Sequence, residues 1–424
     1  MNKYEVKHPV FLGLSHIGQV YSISWAKKVG PCAVYDFNKK KLSDFKNQKY
    51  SREEKDLDKI KFNKNKLVIY KNFNDLKKHD TIFFTYDTPI NNLGCPNLKS
   101  IESYIKKLIS IKFHKKTKII ITSQVYPGFM DKMKKKYLRN DSKIELIYMV
   151  DTLKMGNAID RFLNPEQLVF GCSGENKTFI LRLFKKFKCK KYIFTLKEAE
   201  LIKVSINLYL YFSVSFSNIL DDYSKQIGVN FTNIIGSLKN DARIGKYSYI
   251  HPSPSISGGH LERDVFYIKK YSNNLQTKKI FNNFQVFDQR KKVNLKNILF
   301  DLKKNKKIKL LIIGISYKEN SFSMVNSMFR EILNDKRFNV VFFDSYFKKI
   351  NIKINQVNKL ADSIDESDIV LFNYANNNDL QIIKKKFMKI DNKYLVNIST
   401  KQKSFLKSSK NIINFFSQQT LPVC

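Results

Sequence analysis

The chain has 424 residues, 43% of them hydrophobic and including 34 Phe and 22 Tyr, so it is too long for one ordinary domain and too apolar for a disordered chain. No run of about 18 apolar residues is free of charge, and the opening MNKYEVKHPVFLGL lacks a signal-peptide core, so no membrane span is predicted and a soluble cytoplasmic protein is expected. The net charge of +40 raises nucleic acid as a partner, but only nine of the 77 basic residues are Arg and the Lys are spread through every segment, a composition bias rather than a binding stripe.

In chain order, strands are predicted at Val10–Leu14, Ala33–Asp36, Lys66–Tyr70, Thr81–Tyr86, Lys118–Ser123, Ile144–Val150 and Gln167–Gly171. Amphipathic segments such as Gly18–Val29 and Ile101–Ile111 lie between them, the alternation of a doubly wound sheet. From Leu196 a Pro-free and Gly-free stretch with apolar residues at helical spacing runs to Gly228, a long helix read as a spine between domains. A loop is expected over Asn240–His260, then a Lys- and Asn-rich stretch from Tyr271 to Asn305. A second alternating block follows, with strands at Lys309–Ile315, Val340–Asp344, Ile369–Asn373 and Tyr394–Ile398 and a similar strand–turn–helix opening. The predicted class is α/β: two Rossmann-type doubly wound domains joined by a long central helix, with 1–195 binding a dinucleotide, 196–300 helical, and 301–424 the second Rossmann-like domain.

Glycine is scarce, 14 residues in all, so each retained one points to a backbone requirement. In VFLGLSHIG, Gly13 permits a tight turn after the first strand and Gly18 lets helix and strand pack closely, with Ser15 where the dinucleotide fingerprint has its middle Gly. The helix N-terminus then faces a pyrophosphate, and Asp36, 18 residues after Gly18, is placed to accept from a ribose hydroxyl. Asp36 favours NAD, while Lys39, Lys40 and Lys41 would tolerate a 2′-phosphate.

Further motifs follow in order: TYDTP (Thr85–Pro89), SQVYPG (Ser123–Gly128), VDTLKMGNAI (Val150–Ile159), NPEQLVFG (Asn164–Gly171), EAELIKVSIN (Glu198–Asn207), DARIG (Asp241–Gly245), SPSISGGHLERD (Ser253–Asp264) and GISYKEN (Gly314–Asn320). Together they resemble the UDP-glucose/GDP-mannose dehydrogenase family, enzymes that oxidise a nucleotide-sugar alcohol with NAD. The resemblance implies a cofactor site of Gly13, Ser15, Ile17, Gly18, Asp36, Lys41, Thr88 and Gln124, and a strand at Gln167–Gly171 that closes the first domain. It implies that Lys203 and Asn207, four apart and so on one helical face, stabilise charge at the reacting carbon; the alternative is a surface Lys and a tolerated Asn. Asp151 takes the place of the family's first Glu, and Lys154, Arg243, Tyr249, Ser257, Gly258 and Lys318 are implied on the nucleotide-sugar side, with Arg243 reaching either a phosphate or a partner subunit. A homodimer through the long helix and a role in surface-polysaccharide biosynthesis are the further expectations.

The resemblance breaks at the nucleophile. The family's loop carries a Cys where this chain has His260 or, aligned on the glycines, Leu261. The five cysteines (Cys32, Cys95, Cys172, Cys189 and Cys424) are scattered, with no metal spacing, so no metal is expected. Met155 and Val325 stand where the family has Glu and Arg. A thiol captures an aldehyde as an adduct able to lose a second hydride; an imidazole does not. The expectation is therefore one two-electron step, with His260 as general base or merely bonded within its loop, and Asp264 holding His260 or a water. The alternative is an inactive subunit that binds a nucleotide sugar or the cofactor.

Overall fold

A computed structural model describes residues 8–50, 54, 57–60, 64–91, 94–139, 142–304, 307–319, 322–347, 352–389, 392–399, 402 and 411–416; Asn320 and Cys424 lie outside them. The chain divides into two compact units, 1–207 and 208–424. Among the described residues no helix is long and apolar enough to cross a membrane.

The first unit holds one sheet of eight strands: β1 (Val10–Leu12), β2 (Cys32–Tyr35), β3 (Leu67–Ile69), β4 (Thr81–Phe84), β5 (Thr117–Ile121), β6 (Ile144–Met149), β7 (Gln167–Gly171) and β8 (Lys190–Phe194). Their order is β3-β2-β1-β4-β5-β6-β7-β8, all parallel except the β6–β7 pair. Between them run α1 (His16–Lys28), α2 (Lys39–Lys46), α3 (Leu98–Ile109), α4 (Phe129–Tyr137), α5 (Ala158–Leu163) and α6 (Lys177–Leu183). The strands are short apolar runs because both faces are covered. Val10, Leu12, Ile82, Phe84, Ile119 and Ile121 point to one core, while the intervening Phe11, Phe83 and Ile120 point to the other. The sheet does not end at β7, as expected from sequence: β8, in the Lys-rich run KKYIF with only partly buried side chains, pairs in parallel beyond it.

The helix α7 (Leu196–Gln226) has 31 residues and crosses the division between the units. The second unit continues with α8 (Phe231–Asn240), α9 (Gly259–Tyr271) and α10 (Leu275–Asp301). Its sheet has six strands: β9 (Ile308–Ile313), β10 (Phe338–Phe343), β11 (Asn355–Gln356), β12 (Ile369–Phe372), β13 (Tyr394–Asn397) and β14 (Ile412–Asn414), with α11 (Arg330–Leu333), α12 (Leu360–Glu366) and α13 (Asn377–Phe387) among them. The order β11-β10-β9-β12-β13-β14 repeats the pattern of the first six strands of the other sheet, all parallel. Again Leu310 and Ile312 face one core and Leu311 and Ile313 the other.

Within the region expected to be helical, the Lys- and Asn-rich stretch after Tyr271 is a helix of 27 residues whose inward face alternates Phe281, Leu295 and Leu299 with the buried polar Asp288, Lys291 and Lys292. One expectation is corrected: among the described residues the second block lacks the strand–turn–helix opening, since β9 runs into a loop and the next helix is the four-residue α11.

Candidate active site

In each open sheet the chain leaves in opposite directions on either side of the first strand, and a ligand crevice forms at the carboxyl ends there. At the β1/β4 switch point, Gly13 has φ +108, and a Cβ on it would lie 2.9 Å from the Tyr86 ring. A Cβ on Gly18 would lie 1.8 Å from the Gly13 carbonyl, so only Gly lets α1 cross β1 this closely. Ser15 caps α1, accepting from the Gly18 N–H and donating to the Thr85 carbonyl at 2.5 Å. Its hydroxyl therefore holds the turn where a Gly would have left it open. Ile17 is half-buried beside it, and the first turn of α1 has no acidic residue, which suits an anion at the positive end of the helix.

Asp36, at the end of β2, is buried. It accepts the Leu14 N–H at 2.6 Å and the Asn38 N–H at 2.7 Å. It thus clamps the glycine turn itself, and with about four acceptor sites a carboxylate keeps capacity for a ribose hydroxyl. Tyr86 lies over the same turn, its hydroxyl accepting from the Phe37 N–H at 3.1 Å; burial first, then the Asp36 charge, raises its pKa. Thr88 is buried and donates to the Gln124 carbonyl at 2.7 Å, so these two cofactor-side candidates are joined. Lys41 is exposed on α2.

Lys203 and Asn207 are both buried on α7 and one helical turn apart. The Lys203 ammonium donates to the backbone carbonyl of Asp151 at 2.6 Å. Asp151 follows β6, and its carboxylate accepts from Tyr21 of α1 at 3.0 Å. Burial, then Asp151, raises the Tyr21 pKa, so that hydroxyl stays a donor. The dinucleotide turn, the Asp151 loop and the lysine helix are in this way one hydrogen-bonded set. Lys154, three residues on, is exposed.

Two buried carboxylates in this unit escaped the sequence reading. Glu200, one turn before Lys203, accepts from the Gly128 and Met130 N–H groups at 2.5 and 2.7 Å and so caps α4, whose own N-cap Gly128 has no side chain. Burial pushes its carboxyl up to about 7, against the two N–H bonds. Glu54 accepts from the Gly156 and Ala158 N–H groups and reaches His16, in the first turn of α1, at 3.2 Å. Each of the two answers orphan donors at or beside the start of a helix distant in sequence, a pairing no local spacing reveals.

In the second unit the β9/β12 switch point repeats the first. Gly314 has φ +82, and a Cβ there would lie 2.8 Å from the Tyr374 carbonyl. Asp344 accepts the Ile315 N–H at 3.3 Å and the Tyr374 hydroxyl at 2.8 Å, and Tyr374 also takes the Ser316 N–H, as Asp36 and Tyr86 do around Leu14 and Phe37. Lys318 is half-buried in the loop that follows.

The candidate loop of this unit turns at Gly258, φ +89, whose N–H donates to the Val325 carbonyl at 2.9 Å. His260 opens α9, half-buried, with Nδ1 within 3.5 Å of where a Gly258 Cβ would be; Asp264, one turn on, is fully buried. The Ser255 and Ser257 hydroxyl oxygens are buried with no protein partner among the described residues. Arg243 is exposed and spends its fork on Asp241 two residues away, and Tyr249 is exposed as well, so neither is gathered into this loop. The cysteines among the described residues (Cys32, Cys95, Cys172 and Cys189) are free thiols and all belong to the first unit. No cluster of metal-ligating side chains occurs among the described residues.

Two sheets of this strand order, the first opening on a glycine turn clamped by an acid at the end of its second strand, define a dinucleotide-binding protein of the Rossmann type. The chain belongs to the UDP-glucose/GDP-mannose dehydrogenase family: residues 8–188 match that family's NAD binding domain and residues 197–296 its central domain. It is 25% identical over 276 residues to the UDP-glucose 6-dehydrogenase of Rickettsia conorii, a match covering 62% of each chain and so less than two thirds of that enzyme's length. It is 23% identical over 427 aligned positions to the UDP-N-acetyl-D-mannosamine dehydrogenase of Methanocaldococcus jannaschii, covering 95% of this chain and 92% of that one. In fold it is similar to a UDP-glucose dehydrogenase from Pyrobaculum islandicum, with a TM-score of 0.82 at 17% identity over 98% of this chain and 99% of that one.

Proposed function

We propose that the protein is an NAD-linked dehydrogenase of a nucleotide-activated sugar, a UDP-sugar first among the candidates, removing two electrons from one alcohol. The observation that carries this reading is the buried Lys203–Asn207 pair on α7, with the lysine anchored to the Asp151 loop that also bonds α1. A cation and an amide on one helical face suit an oxygen gaining negative charge. The first-unit turn fits the cofactor: Gly18 leaves room, α1 offers its positive end, and Asp36 retains acceptor capacity.

Gly13, Ser15, Gly18 and Asp36 would hold NAD, which would supply the acceptor for a hydride. Lys203 and Asn207 would polarise the oxygen on the carbinol carbon, so that the alcohol becomes an aldehyde or ketone with one NADH and one proton formed; His260 stays a candidate general base in its own loop. The second oxidation to a carboxylate is not assigned, because SISGGHLERD offers no thiol to capture the aldehyde. Ser257 and Lys318 are assigned to the nucleotide sugar, supported by a buried, unpartnered hydroxyl at the first and a repeat of the dinucleotide turn just before the second. For Lys41, Lys154, Arg243 and Tyr249 the exposed positions support at most contacts made once ligand or partner arrives.

A homodimer is part of the reading. Tyr209, Phe216 and Tyr223 are exposed at seven-residue intervals on α7, with Ile219 exposed beside them, an apolar stripe of the kind that seeks a matching helix.

The test is a panel of UDP-, GDP- and CDP-sugars with NAD, reading NADH and product mass. One NADH per sugar and a loss of two hydrogens are expected. Two NADH with a uronic acid would overturn the two-electron reading, and ligand binding without turnover would mark an inactive binding subunit.

A further inference from the structure

A buried lysine on α10 stands at the centre of a polar network behind the Ser257–His260 loop. Lys292 is only 3% exposed. Its ammonium donates to the Asn326 side-chain carbonyl at 2.6 Å and lies 3.3 Å from Asp288, one turn away on the same helix. Asp288 accepts the Ile256 N–H at 2.6 Å. The Asn326 amide donates to the Ile256 carbonyl at 3.0 Å and to Glu262 at 3.3 Å, while Gln285 holds the other Glu262 oxygen at 2.9 Å. Both polar backbone groups of Ile256 are therefore fixed by side chains that Lys292 joins, and the next tie, Gly258 to Val325, uses the residue beside Asn326.

Placing this network inside the fold is costly. A charge buried at Lys292 needs both its partners, and Asn326 adopts φ 47, a left-handed conformation that Asn enters more readily than most residues other than Gly. An apolar pair of similar volume would serve packing as well or better, so stability alone does not account for it. What it supplies is direction: Ile256 is one residue from Ser257 and two from the Gly258 turn.

Resting on the function proposed above, we propose that Lys292 is a positioning residue for the nucleotide-sugar step, fixing Asn326 and Asp288 so that they set the path of the Ser257–His260 loop. It does not touch substrate; it acts through Ile256.

Lys292→Met alone strands the Asp288 carboxylate and is expected to destabilise the fold, so two other variants carry the test. Lys292→Met with Asp288→Asn removes both charges and keeps an acceptor for Ile256, and Asn326→Gly keeps the left-handed backbone and deletes the link. In both, kcat/KM for the nucleotide sugar is expected to fall roughly tenfold to a hundredfold with KM for NAD unchanged. Amide exchange at residues 256–260 should quicken while exchange in β9 and β12 stays put. Wild-type kcat/KM in a folded double variant, or KM for NAD rising in step with KM for the sugar, overturns the proposal. If the unaltered chain oxidises no nucleotide sugar, the functional reading fails. The clamp is then decided by exchange alone, and unaltered protection at 256–260 in both variants sinks it.

Discussion

The ammonium of Lys203 donates to the backbone carbonyl of Asp151 across 2.6 Å, joining residues 52 apart in sequence. Because Tyr21 of α1 bonds the same aspartate's carboxylate, the helix that opens on the dinucleotide turn and the helix that bears the lysine share one anchor. Lys203→Met is expected to lower kcat about a hundredfold to a thousandfold, the range for removing a preorganised charge-stabilising donor. NAD binding, followed by fluorescence titration, should remain within twofold. Unchanged kcat in the folded variant would remove Lys203 from the chemistry.

Gly18→Ala puts a methyl group 1.8 Å from the Gly13 carbonyl, backbone against backbone, with no flexible neighbour to yield. A loss of about 3 kcal/mol or more in denaturant unfolding is expected, with abolished NAD binding. Gly236, where a Cβ meets nothing within 4 Å, is the control: Gly236→Ala lies within α8 and should be neutral or stabilising by up to about 1 kcal/mol.

Glu200 gives a pH signature. Its carboxyl is raised from 4.5 to about 7, chiefly by burial, with Asp131 of α4 adding to the shift and Lys197 of α7 opposing it. The folded protein holds this proton more tightly than the unfolded chain, so its contribution to stability is fully present below 4.5 and is lost as pH rises through about 7. Unfolding free energies of wild type and Glu200→Gln, measured from pH 4 to 8, should diverge across that window, by at most about 1.4 kcal/mol per pH unit. Parallel curves would show that Glu200 does not titrate there.

Phe216→Glu places a charge in the exposed stripe of α7. Sedimentation of wild type is expected to give a dimer and of the variant a monomer, with unfolding of the isolated chain little changed because the side chain faces outward. A monomeric wild type would dispose of the stripe as an interface.

Much of this protein was legible in its residues because the signals are local. VFLGLSHIG and the strand-end Asp36 specify a turn whose glycines have steric reasons the structure bears out, and parallel strands buried on both faces read as plain apolar runs. Lys203 and Asn207 were picked out by the family resemblance of EAELIKVSIN, and their four-residue spacing puts them on one helical face. The 27-residue α10 falls inside the stretch expected to be helical, but its limits were not marked, since its buried side is occupied in part by Asp288, Lys291 and Lys292. β8 was missed for a related reason: a short run of half-buried Lys and Tyr lacks the pattern of a covered strand.

The sequence by itself determined the class of fold, the first ligand crevice and the family, because tight turns and strand–helix alternation are written in neighbouring residues. Only the tertiary structure decided that Glu200 caps a helix some 70 residues upstream, that Asp36 clamps the glycine turn through the Leu14 N–H, and that a buried Lys292 bonds Asn326, 34 residues on. Burying a carboxylate or an ammonium requires partners, and those partners come from wherever the fold brings a free N–H or carbonyl, a choice made by packing in three dimensions and left unmarked in the order of the chain.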